Sequence, residues 1–189
     1  MASMTRILTL VGSLRSDSVN RKLAEAAAAN APEGAEVVIH EGLGDIPFYN
    51  EDLDRPGAVP ASAQALRDAV ANADGLLLVT PEYNGTLSAV LKNAIDWASR
   101  PYGVSAIKDK PVALVSSSIG ANAGKWAHGD GVKAVGIAGG AVVEAAHVHF
   151  GSSGERFAAA HPREDAAAVA ELTASLRHLI DATRELVSA

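Results

Sequence analysis

The chain has 189 residues, is 48% hydrophobic and carries a formal charge of −6, which suits one domain, residues 1–189, with a core of its own. Its basic residues form no runs, so no nucleic-acid partner is expected. It has no cysteine, which removes disulfides, thiolate catalysis and zinc–thiolate sites together.

The opening Met1-Ala2-Ser3-Met4-Thr5-Arg6 lacks secretory leader order and enters an apolar run, Ile7-Leu8-Thr9-Leu10-Val11, that reads as a buried strand. A polar loop at 12–20 leads into a helix at 21–29. After the turn Pro32-Glu33-Gly34, residues 35–40 read as a second strand. The segment 41–60 carries Pro47, Pro56, Pro60 and the cluster Phe48-Tyr49-Asn50; a loop that long in one domain is usually functional or covers something. Residues 61–73 read as a helix with Leu66, Ala69 and Val70 inward. Gly75-Leu76-Leu77-Leu78-Val79-Thr80 is a third strand, apolar throughout, as in a parallel sheet buried on both faces.

The clearest helix spans 87–99, where Leu87, Val90, Leu91, Ala94, Ile95 and Ala98 recur at helical spacing and Pro101 follows. Residues 111–115 form a fourth strand, followed by Ser116-Ser117-Ser118-Ile119-Gly120. A helix is expected at 122–138 despite Gly124, Gly129, Gly131 and Gly136, then a fifth strand at 140–148. A helix at 163–187 closes the chain, with Val169, Leu172, Leu176, Leu179 and Leu186 on one side. No apolar run approaches the roughly 20 residues that span a bilayer, so a soluble, cytoplasmic protein without membrane insertion is expected.

Strands alternating with helices predict a doubly wound α/β domain. A polar loop after the first of five parallel strands points to the flavodoxin-like order 2-1-3-4-5, with helices on both faces. In such sheets ligands bind outside the carboxyl ends of the strands, at the point where the strand order reverses. That rule brings together the loops at 12–20, 81–87 and 116–120.

The first loop reads Gly12-Ser13-Leu14-Arg15-Ser16-Asp17-Ser18-Val19-Asn20. A strand-to-helix loop aims backbone N–H groups and the positive end of a helix dipole at one point, which suits a phosphate. The hydroxyls of Ser13, Ser16 and Ser18 add neutral donors. Arg15 adds a charge-assisted fork, a kind of bond that contributes about 1.5–3 kcal/mol. Helix capping needs only Ser16 or Ser18 and leaves Arg15 unexplained. In Pro81-Glu82-Tyr83-Asn84-Gly85-Thr86 the Asn-Gly pair signals a hairpin, but a helix pattern follows. The loop is therefore expected to form a backbone shelf, with Gly85 at positive φ approaching a flat ligand closely. N–H groups from Asn84 to Thr86 face the ring, and Tyr83 either packs on a ring face or is plain surface. Ser116, Ser117 and Ser118 either donate to the ring's far edge or form an ordinary loop.

His147 and His149 alternate on the expected fifth strand and so share a face. A metal site would want a third ligand; Glu144 has the opposite parity and His161 lies in a later loop, so no metal is expected. Glu51, Asp52 and Asp54 read as a solvated loop.

Gly12-Ser13-Leu14-Arg15 with Ser18-Val19-Asn20 resembles the phosphate loop of the NADPH-dependent FMN reductases, which include quinone, chromate and azo-dye reductases. Pro81-Glu82-Tyr83-Asn84-Gly85, with Leu91-Lys92-Asn93-Ala94-Ile95-Asp96-Trp97, resembles that family's second signature. Asp45-Ile46-Pro47-Phe48-Tyr49 is a weaker match. The chain departs from the pattern at Thr86 and Ser88, and at 119–125, which lacks paired glycines. The resemblance implies one flavodoxin-like FMN-binding domain. Ser13, Arg15, Ser18 and Asn20, with Val19 among them, would hold the FMN phosphate. Pro81, Glu82, Tyr83, Asn84 and Gly85 would line the isoalloxazine, and Ser117 its other edge. NADPH or NADH would deliver a hydride to the flavin, and a quinone, flavin, chromate or azo compound would accept it in a ping-pong cycle. No side chain need act as nucleophile. A homodimer or homotetramer is implied, with Trp97, Tyr102 and parts of 41–60 near a second subunit. Lys125 or Arg100 would either steer an anionic acceptor or the cofactor's phosphates, or serve only as solubilising surface cations.

An electron carrier of the same fold is the first alternative, opposed by Arg15 and by the low aromatic content of 4%. A flavin-less binding or regulatory protein is the second, since fold alone does not fix function. A phosphatase is the third, opposed by the absence of a cysteine nucleophile.

Overall fold

A computed structural model describes residues 4–188; the reading of Met1-Ala2-Ser3 lies outside them. Strands β1 (Thr5–Val11), β2 (Ala35–Ile39), β3 (Gly75–Pro81) and β4 (Pro111–Ser117) alternate with helices α1 (Val19–Ala29), α2 (Ala61–Ala71) and α3 (Ala89–Ala98). Then come α4 (Lys125–Ala138), the short strands β5 (Ala141–Val142) and β6 (Val148–Phe150), the single turn α5 (Ser153–Arg156) and the long α6 (Ala166–Ser188). All pairings are parallel, and the order is the flavodoxin-like β2-β1-β3-β4-β5, with β6 also on β4. Among the described residues no helix is long and apolar enough to cross a membrane.

Two apolar cores flank the sheet because side chains alternate along each strand. Ile7, Val11, Leu77, Val79 and Val115 pack against α1 and α6 through Leu23, Ala27, Leu172, Leu176 and Leu179. Leu8, Leu10, Leu76, Leu78, Val112 and Leu114 pack against α2, α3 and α4 through Leu66, Val70, Leu91, Trp97 and Val135. β3 lies between β1 and β4 and all seven of its residues are buried, which is why its sequence is apolar without alternation.

The structure corrects five expectations. The fifth strand is two strands: Val112 pairs with Val142 but Val115 with Val148. The three extra residues are taken up by a 3-10 turn at Glu144–Ala146. Ser175 Oγ holds that turn by donating to the Ala146 carbonyl. Second, α4 starts at Lys125 rather than 122, because Ala123 and Gly124 are left-handed, with φ of 59° and 71°. Packing accounts for Gly131, where a Cβ would collide with Leu114, but not for Gly129 and Gly136, where a Cβ would meet nothing. Third, Asp54 is not in a solvated run. Its side chain is 13% exposed and forms a two-pronged pair with Arg67, itself 10% exposed, at 2.8 and 2.9 Å. Fourth, Trp97 is fully buried and belongs to the core, not to an accessible face. Fifth, Leu186 is exposed near the end of α6 rather than aligned with its buried stripe.

Candidate functional site

The three loops meet at the carboxyl edge of the sheet because β1, β3 and β4 are adjacent and parallel. In the first loop Ser18 is the N-cap of α1, its Oγ accepting from the Arg21 N–H at 3.3 Å. Capping at Ser18 starts the helix two residues earlier than its apolar pattern, so Val19 and Asn20 sit in the first turn, where backbone N–H groups lack helical partners. Asn20 is buried, and its Oδ1 has no hydrogen-bond partner among the described residues. Arg15 is exposed and spends one donor, Nη2, on the Asp17 carbonyl at 3.1 Å, which leaves most of its fork available. Asp17 pairs with Lys22, whose hydrogen bond holds the carboxyl below the usual carboxylate range. Arg21 faces away and forks Glu41 at 2.8 and 2.5 Å.

The second loop is a tight turn. Tyr83 and Thr86 form an antiparallel bridge, with Tyr83 N donating to Thr86 O at 3.2 Å and Thr86 N to Tyr83 O at 3.1 Å. Asn84 and Gly85 both have positive φ, 52° and 76°, the hairpin conformation that Asn-Gly favours. The hairpin signal is therefore met, closed on one bridge before Ser88 caps α3. The Thr86 N–H is consumed inside the turn. Those of Asn84 and Gly85 make no hydrogen bond among the described residues. Gly12 lies against this loop: a Cβ there would strike Ser88 Oγ and approach Pro81.

In the third loop the three serines part. Ser116 Oγ donates to the Ala123 carbonyl at 2.8 Å and lies 2.8 Å from His149 Nδ1. Ser118 Oγ accepts from the Gly120 N–H at 3.2 Å. Ser117 is buried, and its Oγ has no partner among the described residues.

Sequence reasoning misses three features. Glu82 caps α4: its Oε2 accepts from the N–H groups of Trp126 at 3.0 Å and Ala127 at 3.1 Å, where the positive end of the helix dipole favours a carboxylate. Asn93 and Trp97 on α3 fix residues 46–49 within the long segment 41–60. Asn93 Oδ1 accepts from the Tyr49 N–H at 2.8 Å, Asn93 Nδ2 donates to the Ile46 and Pro47 carbonyls, and Trp97 Nε1 donates to Pro47 at 2.8 Å. His128, on α4, packs between His147 and His149, with ring centroids 4.4 and 4.2 Å away. It is 5% exposed and neither ring nitrogen has a partner among the described residues. Burial, reinforced by His149 and His147, pushes its pKa down to about 3. His147 and His149 are also lowered, chiefly by burial. Among the described residues no three His, Cys, Asp or Glu side chains are arranged to hold a metal. Of the two cations expected to steer anions, Lys125 is exposed. Arg100 instead lies over the Tyr49 ring and donates to Ser99.

The carboxyl edge of the sheet thus brings together a helix start with free N–H groups, a tight turn whose Asn84 and Gly85 N–H groups make no hydrogen bond among the described residues, and a buried serine hydroxyl without a partner there. The family model for NADPH-dependent FMN reductase matches residues 5–155, and the chain belongs to that family. It is 47% identical over 116 residues to a 2-hydroxy-1,4-benzoquinone reductase from Burkholderia sp, covering 61% of this chain and 62% of the relative. It is 46% identical over 124 residues to a quinone reductase from Pseudomonas putida, covering 66% of each. The matched region thus spans a little under two thirds of those curated relatives' length. Among solved structures it resembles FerB, a flavoenzyme NAD(P)H:(acceptor) oxidoreductase from Paracoccus denitrificans. There the TM-score is 0.83 and the identity 31%, over 96% of this chain and 98% of that one.

Proposed function

We propose that this protein is an FMN-dependent NAD(P)H oxidoreductase whose acceptors are quinones or related compounds, with flavins, chromate and azo compounds as further candidates. The observation that carries the reading is that two of the unpartnered buried polar atoms, Asn20 Oδ1 in the first turn of α1 and Ser117 Oγ at the carboxyl end of β4, adjoin two of the three converging loops. Buried polar atoms are rarely left unsatisfied, and a bound cofactor is what would satisfy them. The residues therefore fit FMN. Its phosphate would sit at the start of α1, held by the N–H groups of the first turn, the Ser13 and Ser18 hydroxyls, Arg15 and Asn20. Its ring would lie against Pro81, Glu82, Tyr83, Asn84 and Gly85, with Ser117 at the far edge. Bound FMN would supply the hydride relay between NAD(P)H and the acceptor. The chain's own part is to position. The free N–H groups of Asn84 and Gly85 present fixed donors to charge developing on the ring, as preorganised dipoles do at other sites. No side chain is assigned a covalent role. The curated relatives named as quinone reductases support the acceptor class.

A single domain and a homodimer or homotetramer complete the reading. Exposed Tyr102, at 86%, and Phe48, at 77%, mark surfaces that a second copy would cover, and large exposed apolar groups commonly mark interfaces. The test is initial-rate kinetics of the FMN-loaded protein with NADPH and 1,4-benzoquinone varied together. Parallel double-reciprocal lines are expected. FMN-independent rates, or no turnover with NADPH or NADH, would reject the reading.

A further inference from the structure

Trp126 is 64% exposed at the start of α4, whereas Trp97, the other tryptophan of the chain, is fully buried. An indole left in water forgoes the burial that usually secures a large aromatic ring, so its position calls for a cause. Two tethers fix that position. Glu82 Oε2 accepts from the Trp126 N–H at 3.0 Å. Thr86 Oγ1 donates to Asp130 Oδ2 at 2.5 Å. The turn at 82–86 and the first turns of α4 are thereby tied together at both ends. The indole then lies against Gly85, its Cε3 3.7 Å from where a Cβ would stand. Tyr83, 50% exposed, marks the start of the same turn.

We infer that Trp126 determines acceptor specificity: its indole is an apolar wall, beside the shelf of Asn84 and Gly85, for neutral fused-ring aromatic oxidants such as naphthoquinones. The inference rests on the reading of that turn as the flavin shelf. Charge favours a neutral ligand over an oxyanion. The carboxylates of Glu82 and Asp130, which hold the ends of the segment that carries the indole, offset the exposed Lys125 and Lys133 of α4, so these four groups present no net positive charge to draw an oxyanion. Shape favours two fused rings over one, because stacking scales with overlapped area and the indole is itself bicyclic. Glu82 acts through Trp126 and is a positioning residue.

The test compares wild type, Trp126→Ala and Trp126→Phe, each loaded with FMN, with menadione, 1,4-benzoquinone and ferricyanide as acceptors. The ratio of kcat/KM for menadione to that for ferricyanide should fall about tenfold in Trp126→Ala, equivalent to about 1.4 kcal/mol. The change should be carried by KM, fall less on benzoquinone and be largely restored in Trp126→Phe. Independently, without NADPH, menadione should quench wild-type tryptophan emission saturably. That quenching should vanish in Trp126→Phe, whose remaining tryptophan is the buried Trp97. A ratio unchanged within twofold, an equal fall for every acceptor, or quenching that persists in Trp126→Phe overturns the inference while normal wild-type turnover leaves the reductase reading standing. Wild type that reduces no acceptor overturns both.

Discussion

Acidification should unfold this protein through His128. The ring is 5% exposed and both its nitrogens lack partners among the described residues, so the neutral form is tolerated and the charged form is not. Its pKa falls from 6.5 to about 3 in the fold. The unfolded chain therefore binds one more proton than the native one between those values. The stability is intact above pH 6.5 and is lost as pH falls toward 3, at a slope of about 1.4 kcal/mol per pH unit. At pH 5 this residue alone removes about 2 kcal/mol by the same relation. His147 and His149 are lowered too and push in the same direction; Glu144 opposes the shift at His147, while Lys125 reinforces it at His149. Replacing His128 with Leu removes the titration and two unsatisfied nitrogens at once, so the variant should match or exceed wild type at pH 7.5. Urea unfolding followed by circular dichroism at pH 7.5, 6, 5.5 and 5 checks this. The difference between wild type and variant should widen in the variant's favour by about 2 kcal/mol across that range. Parallel stability curves for the two proteins would refute the assignment of this acid lability to His128.

Other consequences are equally specific. Asp54→Asn leaves the Arg67 guanidinium, 10% exposed, without its anionic partner and should cost about 3 kcal/mol in urea unfolding; a loss under 1 kcal/mol would mean that solvent reaches the pair. Asn93→Leu removes the clamp on the backbone of 46–49 and should make the segment 45–60 the first site of limited proteolysis, at a cleavage rate well above wild type. An unchanged cleavage map would show that Trp97 holds the segment alone. Arg15→Ala should weaken FMN binding about tenfold or more, the loss of one charge-assisted bond, with the thermal midpoint of the flavin-free protein unchanged. Equal flavin titrations would remove Arg15 from the phosphate site.

Much of the fold is legible in the sequence because the signals are local. Apolar runs such as Leu76-Leu77-Leu78-Val79 read as doubly buried strands in a chain whose helices carry their own period, and the capping serines at 16 and 18 place the start of α1 to within a turn, with Ser18 the one used. The turn at Asn84-Gly85 is legible too, although the helix after it argues against a hairpin; a turn of this type needs one bridge, not a second strand. What local patterns miss is set by distant partners. Nothing in Asn50-Glu51-Asp52-Leu53-Asp54 separates the buried Asp54 from its solvated neighbours; Arg67, brought over by α2, does. Two-residue β5 is too short to show a period, so the break between β5 and β6 is silent. His128 sits among glycines with no apolar pattern around it, and its neighbours come from the far edge of the sheet. Of the site, the loops and their residue types are readable, but the division of labour within them is not. Ser117 rather than Ser116 or Ser118 keeps a free hydroxyl, Thr86 spends its N–H internally, and Glu82 serves α4.

FMN-dependent reduction by NADPH is read in one experiment from the visible spectrum of the purified protein after saturation with FMN and removal of the excess, recorded before and after NADPH without oxygen. A retained flavin spectrum that bleaches on adding NADPH and returns when a quinone is supplied is expected. Flavin retained but unbleached by NADPH and NADH would contradict the reductase reading and favour an electron carrier. No retained flavin would contradict the assignment of Asn20 and Ser117 to a cofactor site.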